Sequence, residues 1–295
     1  EALKRERAGD RRGASKTIRD SMDRNRPHLS PIMLNKYESI ADEALIGMNE
    51  IQHKRYHRER YERMQSRELY RDYRLEMVNG HLITNIEGQS VLIDTGSPIS
   101  IGKREEFYFS NNFHRLSREY LGVTMDYLEK MVGTDIDILL GMDILKNQCL
   151  TIHLPQKRVH FSQMPMIRTR YSVPMENFMG VPSVIVNVSG LEQKMYVDTG
   201  AKLTYVDKEI AAPYSSMGKT KDFYPGLGEF ETETYEIPSS LGDLRLTLHC
   251  GVLPDVLETT LKVTGNHGIL GTEIFHEHLV CLAFPMKTLL MERIR

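Results

Sequence analysis

Leu92-Ile93-Asp94-Thr95-Gly96-Ser97 delivers a carboxylate at the end of an apolar strand, into a tight turn that contains a glycine. The pattern returns at Tyr196-Val197-Asp198-Thr199-Gly200-Ala201, again two apolar residues, Asp-Thr-Gly and a small side chain. One such turn has a purely conformational explanation, since Asp and Gly both favour turns after strands. Two of them point to chemistry. Two crowded carboxyls cannot both ionise cheaply, so one holds a proton while its neighbour accepts one. Acid–base hydrolysis needs that division of labour.

A second stretch is duplicated in the same order. Ile138-Leu139-Leu140-Gly141-Met142-Asp143-Ile144-Leu145 follows the first Asp turn, and Gly268-Ile269-Leu270-Gly271-Thr272-Glu273-Ile274-Phe275 follows the second. Pro155 and Pro285 each lie 14 positions beyond their glycine, with Lys157 and Lys287 two residues further on, so the copies align without a gap. Upstream, Asn85-Ile86-Glu87-Gly88 matches Asn187-Val188-Ser189-Gly190, with two extra residues before Asp198. The spacing predicts one internal duplication covering roughly Met77 to Phe161 and Val181 to Met291.

The paired Asp-Thr-Gly-Ser and Asp-Thr-Gly-Ala resemble the active-site turns of aspartic peptidases, and the second, followed by a short lobe, is closer to the retroviral, retropepsin-like branch. The resemblance spans both copies and leaves the first 75 or so residues aside. It implies a mainly β fold: two tandem retropepsin-like β-barrel halves in one chain, at 75–165 and 166–295, related by a pseudo-twofold. It further implies an aspartic endopeptidase that hydrolyses polypeptides with water activated between Asp94 and Asp198, using no metal and no cofactor. Thr95 and Thr199 would cross-bond the two turns, and Gly96 and Gly200 would bring backbone N–H groups to the carboxyls. Asp143 and Glu273 would sit in the first turn of a short helix, where the dipole favours an acid. A catalytically inactive retropepsin-like module for peptide binding or scaffolding is the alternative. Binding of a divalent cation by the acid pair ranks lower, because calcium takes more oxygen ligands than two carboxyls offer.

The fourth turn residue breaks the symmetry. A Ser97 hydroxyl donating to Asp94, with no equivalent at Ala201, predicts that Asp94 is the ionised member and Asp198 the proton carrier, although the macroscopic pKa values belong to the pair. The pH optimum is expected to be acid to weakly acid.

Between Ile101 and Asp137 no glycine-rich flap is legible; Phe107-Tyr108-Phe109 is followed by a helical run around Tyr120 to Val132. The second half offers a flap candidate at Asp222 to Thr232, in which Pro225, Gly226 and Gly228 make a turn and Phe230 begins an alternating strand. Tyr224, Gly226, Gly228 and Phe230 are the expected substrate-side residues; a surface hairpin without a role accounts for the same pattern. Asp255 to Val263 reads as a short helix. His276-Glu277-His278 has no counterpart in the first copy and reads as surface helix.

The 295 residues carry a net charge of -2 that hides an asymmetry. Residues 1–74 hold 18 Lys and Arg against 13 Asp and Glu, and the remainder holds 20 against 27. The basic leader, low in apolar residues over 1–29, then helical in period from Ser30-Pro31, forms an N-terminal arm. It is expected to dock in cis or mediate self-association, and its charge suits an autoinhibitory prosegment over an acidic cleft. Its histidines His53 and His57, four apart, lack the glutamate of a zinc-peptidase helix. Its tyrosines among basic residues are those of a solvated helix, and no nucleic-acid partner is expected. Cys149, Cys250 and Cys281 lie in apolar runs without metal-knuckle spacing, which predicts buried free thiols and a reducing, cytoplasmic setting. No apolar run approaches membrane-spanning length, so no transmembrane segment is expected.

Overall fold

Three strands joined by two X-Gly turns open the β part of the chain. Strand β1 (Tyr70–Val78) turns at Asn79-Gly80 into β2 (His81–Ile86), and β2 turns at Glu87-Gly88 into β3 (Gln89–Ile93). Both residues of the second turn have positive φ, 51° and 79°, the geometry that matches the twist of the flanking strands and that glycine adopts without penalty. The Asn85 side chain accepts the Gly88 N–H at 3.1 Å, and Asn187 accepts that of Gly190 at 3.0 Å, which is why Asn-x-x-Gly occurs in both copies.

The computed structural model describes residues 16, 18–20, 70–110, 112–225 and 227–294. The chain divides into two units: Glu1–Arg71 with Ser162–Met164, and Asp72–Phe161 with Pro165–Arg295. Of the first, residues 16 and 18–20 are helical; His53, His57 and most of the expected arm lie outside the described residues. All further description concerns the second unit, which is mainly β.

After β3 come β4 (Ile101–Gly102), a hairpin of β5 (Glu106–Phe109) and β6 (Asn112–Arg115), then β7 (Glu119–Tyr120) and β8 (Val123–Thr124). Thr124 caps a helix, Met125–Val132, by accepting the Tyr127 N–H. The helical run expected from Tyr120 therefore starts five residues later, because Leu121-Gly122 turns with φ of 50° and 79°. Next are β9 (Ile138–Leu140), a short helix Met142–Leu145, β10 (Cys149–His153) and β11 (Arg158–Ser162).

The chain continues through β12 (Tyr171–Pro174), β13 (Glu176–Phe178), β14 (Val181–Val188), β15 (Leu191–Val197) and β16 (Thr204–Val206). The two residues added before Asp198 lengthen β15 to seven residues against five in β3. A long hairpin, β17 (Gly218–Tyr224) and β18 (Gly228–Leu241), leads to β19 (Leu244–Val252) and the helix Asp255–Val263, with the bounds expected from sequence. Strand β20 (Gly268–Leu270), helix Ile274–Glu277, β21 (His278–Ala283) and β22 (Thr288–Arg293) complete it.

Two sheets result. The ten-stranded one runs β12-β22-β21-β10-β11-β1-β2-β3-β9-β4, and the eight-stranded one runs β13-β14-β15-β20-β16-β19-β18-β17 with β14 also paired to β18. That extra pairing, Asn187 with Ser240 and Val188 with Ser239, closes β14-β15-β20-β16-β19-β18 into a ring. Among the described residues the sheet carrying Asp94 does not close. The barrel expected there is an open sheet, because four-residue β5 and β6 pair only with each other, whereas 14-residue β18 is long enough to reach back to β14.

Parallel pairing sets the Asp turns. β3 pairs with β9, Ile93 opposite Leu140, and β15 pairs with β20, Val197 opposite Leu270. Strands buried in this way read as continuous apolar runs, which is what Ile138-Leu139-Leu140 is. One core joins the sheets, including Ile93, Leu140, Val197, Leu270, Phe161 and Phe275. In the ten-stranded sheet β10 meets β21 antiparallel, with Thr151 opposite Cys281. All three cysteines are buried and free. Among the described residues no helix is long and apolar enough to cross a membrane.

Candidate active site

Asp94 and Asp198 leave their strands through the same backbone bonds. The Asp94 N–H donates to Leu140 O and the Asp198 N–H to Leu270 O, each at 3.0 Å. The Met142 N–H reaches back to Ser97 O at 2.8 Å, and the Thr272 N–H to Ala201 O at 3.0 Å. A side-chain relay follows in each copy. Gly141 N–H donates to Ser100 Oγ (2.9 Å) while Ser100 N–H donates to Asp143 Oδ1 (2.9 Å); Gly271 N–H donates to Thr204 Oγ1 (3.0 Å) while Thr204 N–H donates to Glu273 Oε2 (2.8 Å). Asp143 and Glu273 are thus acceptors that tie the glycine step to the strand beyond the Asp turn, besides standing at the helix starts. Sequence reading missed Ser100 and Thr204, although each stands six residues after its aspartate.

The two turns are bonded to each other. Thr95 N–H donates to Thr199 Oγ1 and Thr199 N–H to Thr95 Oγ1, both at 3.0 Å; the hydroxyls donate on to Val197 O (2.6 Å) and Ile93 O (2.8 Å). Both threonines are fully buried. Gly96 and Gly200 each lie flat against the opposite carboxyl: a Cβ on Gly96 would stand 2.2 Å from Asp198 Oδ2, and one on Gly200 2.6 Å from Asp94 Cγ.

The carboxyls are half-buried and face each other. Burial, then the charge of Asp198, hold Asp94 well above the usual carboxylate range. Burial also raises Asp198, opposed by the N–H groups of Gly200, Ala201 and Gly96 and by the Asp94 hydrogen bond. Asp94 receives two backbone N–H groups, from Gly96 (2.9 Å) and Ser97 (3.0 Å). The Ser97 hydroxyl does not serve it; it donates to Ile99 O at 2.8 Å. The donor on which the expectation for Ser97 rested is therefore absent; burial raises both carboxyls, and the proton belongs to the pair.

One residue that sequence reading passed over reaches the second turn. His81, buried at the start of β2, bonds through Nδ1 to Gly200 O at 2.9 Å, and burial lowers its pKa. An isolated histidine beginning a strand carries no signal of this role.

The expected flap is the hairpin β17–β18, and its residues divide. Tyr224 lies within the field of both aspartates, and burial with those charges pushes its phenol up to about 12. Its neighbour Phe223 packs on His81 and Tyr127, at 5.5 and 6.3 Å between ring centres. Phe230 packs against Tyr205 at 6.1 Å between ring centres, in a cluster that also holds Ala201 and Tyr224. Gly228, at φ 87°, pairs with Tyr224 in open space, and Gly226 lies outside the described residues. The β5–β6 hairpin stands with Glu87 and Gln89, at the end of β3 away from Asp94.

Of the other clusters, His276 and Glu277 are exposed but His278 is buried, its Nδ1 3.2 Å from Ile274 O, so the stretch is not wholly surface. Asp207, Glu209 and Glu258 converge, and Lys262 Nζ compensates them at 3.4 Å from Asp207 and 2.5 Å from Glu258.

Glu273 gives a prediction of its own. Its Oε1 is buried without a hydrogen-bond partner, whereas Asp143 Oδ1 accepts from Ser100 N–H, Ser100 Oγ and Ile144 N–H. Burial raises Glu273 from 4.5 to about 7. A raised carboxyl contributes stability that is present below its unfolded pKa and lost as pH climbs through the folded one. Relative to Glu273→Gln, the parent is expected to lose on the order of 3 kcal/mol between weakly acid and weakly alkaline pH. Parallel denaturant titrations of the two proteins check it; a pH-independent difference would refute it.

No protein-family model and no curated protein matches the chain. Among solved structures, it is similar to a retropepsin-like aspartic protease from Rickettsia conorii, with a TM-score of 0.30 and 17% sequence identity, over 41% of this chain and 87% of that one.

Proposed function

We propose that the chain is an aspartic endopeptidase built from two retropepsin-like halves, 75–165 and 166–295, behind an N-terminal arm, 1–74. The observation that carries the reading is the reciprocal Thr95–Thr199 bonding, which ties the two Asp turns together and supports a proton shared between Asp94 and Asp198. The strand register supports a pseudo-twofold relation. Thr151 pairs with Cys281, and the spacing between them is the same as that between Gly141 and Gly271.

In the proposed reaction the ionised carboxyl of the Asp94–Asp198 pair takes a proton from water as the water oxygen bonds to the substrate carbonyl carbon, while the protonated carboxyl gives its proton to the carbonyl oxygen. As the tetrahedral adduct collapses, the C–N bond breaks and the proton taken from water leaves with the amine, while one hydroxyl of the adduct returns its proton to the other carboxyl as the C=O reforms. The substrate lies as an extended chain beneath β17–β18, in the manner of an added strand. Tyr224, neutral at working pH, lies within the field of the pair.

Cleavage of an unfolded protein from acid to neutral pH tests the reading, with Asp198→Asn as control. Cleavage lost in the variant supports it; no cleavage by the parent at any pH sinks it and leaves the inactive binding module. The pH profile tests the part played by the Ser97 hydroxyl. Ser97→Ala is expected to leave the acid limb where it is, because the hydroxyl donates to Ile99 O; a shifted limb would restore Asp94 as the charged member.

A further inference from the structure

Resting on the peptidase reading, we infer that Lys202 selects substrates bearing a carboxylate side chain to one side of the scissile bond. Lys202 follows the Asp198 turn directly, after Ala201. Its stem is fixed. Gly80 lies so close that a Cβ there would stand 2.3 Å from Lys202 Cγ, and Thr272 Oγ1 bonds both Gly80 O (2.8 Å) and Lys202 O (3.1 Å), joining the β1–β2 turn to this backbone.

The ammonium points from the floor of the site to its roof. Lys202 Nζ donates to Lys221 O at 3.3 Å, on β17. The same strand ends in Tyr224, which lies in the field of Asp94 and Asp198. The cation therefore stands in the gap that an extended substrate would occupy between turn and hairpin.

No carboxylate answers it among the described residues. Asp222, next along β17, is committed elsewhere: its Oδ2 accepts from the Tyr205 hydroxyl and its Oδ1 from Phe223 N–H, at 2.8 Å for the latter. An ammonium whose one bond is long, exposed and made to a neutral carbonyl gains a charge-assisted bond from a substrate carboxylate. The other end of the site differs in kind. The position matching Lys202 is Pro98, which packs under Gly180 beside exposed Met179. The cleft is thus cationic at one end and apolar at the other, and its substrate is polarised to match.

The test uses the full chain and peptides of equal length in which Glu, Gln or Lys is moved through each position on both sides of the scissile bond. At one position, the Glu peptide is expected to exceed its Gln isostere roughly tenfold or more in kcat/KM. That ratio should fall to near one in Lys202→Met and turn in favour of the Lys peptide in Lys202→Glu. An unchanged Glu-to-Gln ratio across the three proteins would overturn the inference. Calorimetric binding of the same peptides separates the two readings. Binding that prefers Glu through Lys202, with no cleavage, removes the peptidase and keeps the site; cleavage or binding indifferent to Lys202 removes the site alone.

Discussion

Asp94→Asn and Asp198→Asn are each expected to reduce peptide hydrolysis roughly a thousandfold or more while the protein stays folded. Each change removes one member of a pair whose chemistry needs both, so the double variant should be scarcely worse than either single one. Stability should move the other way. Both carboxyls have raised pKa values, so the parent's stability from them is present in acid and is lost as pH rises through the folded values. An asparagine carries no charge to bury, and the variants should therefore match the parent in acid and exceed it towards neutral pH. Activity and thermal unfolding measured on the same samples check both halves. A variant that loses activity together with its thermal stability would show a structural role for the aspartates and would leave the chemistry unsupported.

The Asp turns, the glycine steps and the Asn-x-x-Gly hairpins were legible because backbone geometry restricts what can stand there. Gly88 and Gly190 sit at positive φ, and the apolar runs at Ile138 and Gly268 are paired in parallel and covered on both faces. Legibility ended where tertiary contacts decide. Ser97 was read as a donor to Asp94 from adjacency alone, yet its hydroxyl finds Ile99 O. The open sheet around Asp94 was not legible, because closure depends on whether a strand is long enough to reach a distant partner, as β18 reaches β14. His81 was invisible for the same reason, since its partner, Gly200 O, is 119 residues away.

Gly96→Ala is expected to be the most damaging single methyl that can be added to this site. The space for it is taken by a carboxyl: its Cβ would meet Asp198 Oδ2, Cγ and Oδ1 at 2.2, 2.3 and 2.4 Å, inside any real contact distance. The Asp198 carboxyl cannot swing aside cheaply, because it is held by the Gly200 N–H at 2.8 Å. The turns must separate instead, and separation strains the four threonine bonds and exposes none of their buried groups to water. Each buried donor or acceptor left without a partner costs about 1 to 3 kcal/mol, so a loss of roughly 3 to 5 kcal/mol in unfolding free energy is expected, along with peptide hydrolysis. Gly200→Ala should follow, less severely, since its nearest approach is 2.6 Å. Gly88→Ala supplies the contrast. It has nothing within 4 Å of its Cβ but a φ of 79°, so it should cost only about 1 kcal/mol in backbone strain and spare hydrolysis. Denaturant titrations of the three variants decide the order. Were Gly96→Ala no worse than Gly88→Ala, the close approach of the turns, and with it the proton-sharing pair, would have to be given up.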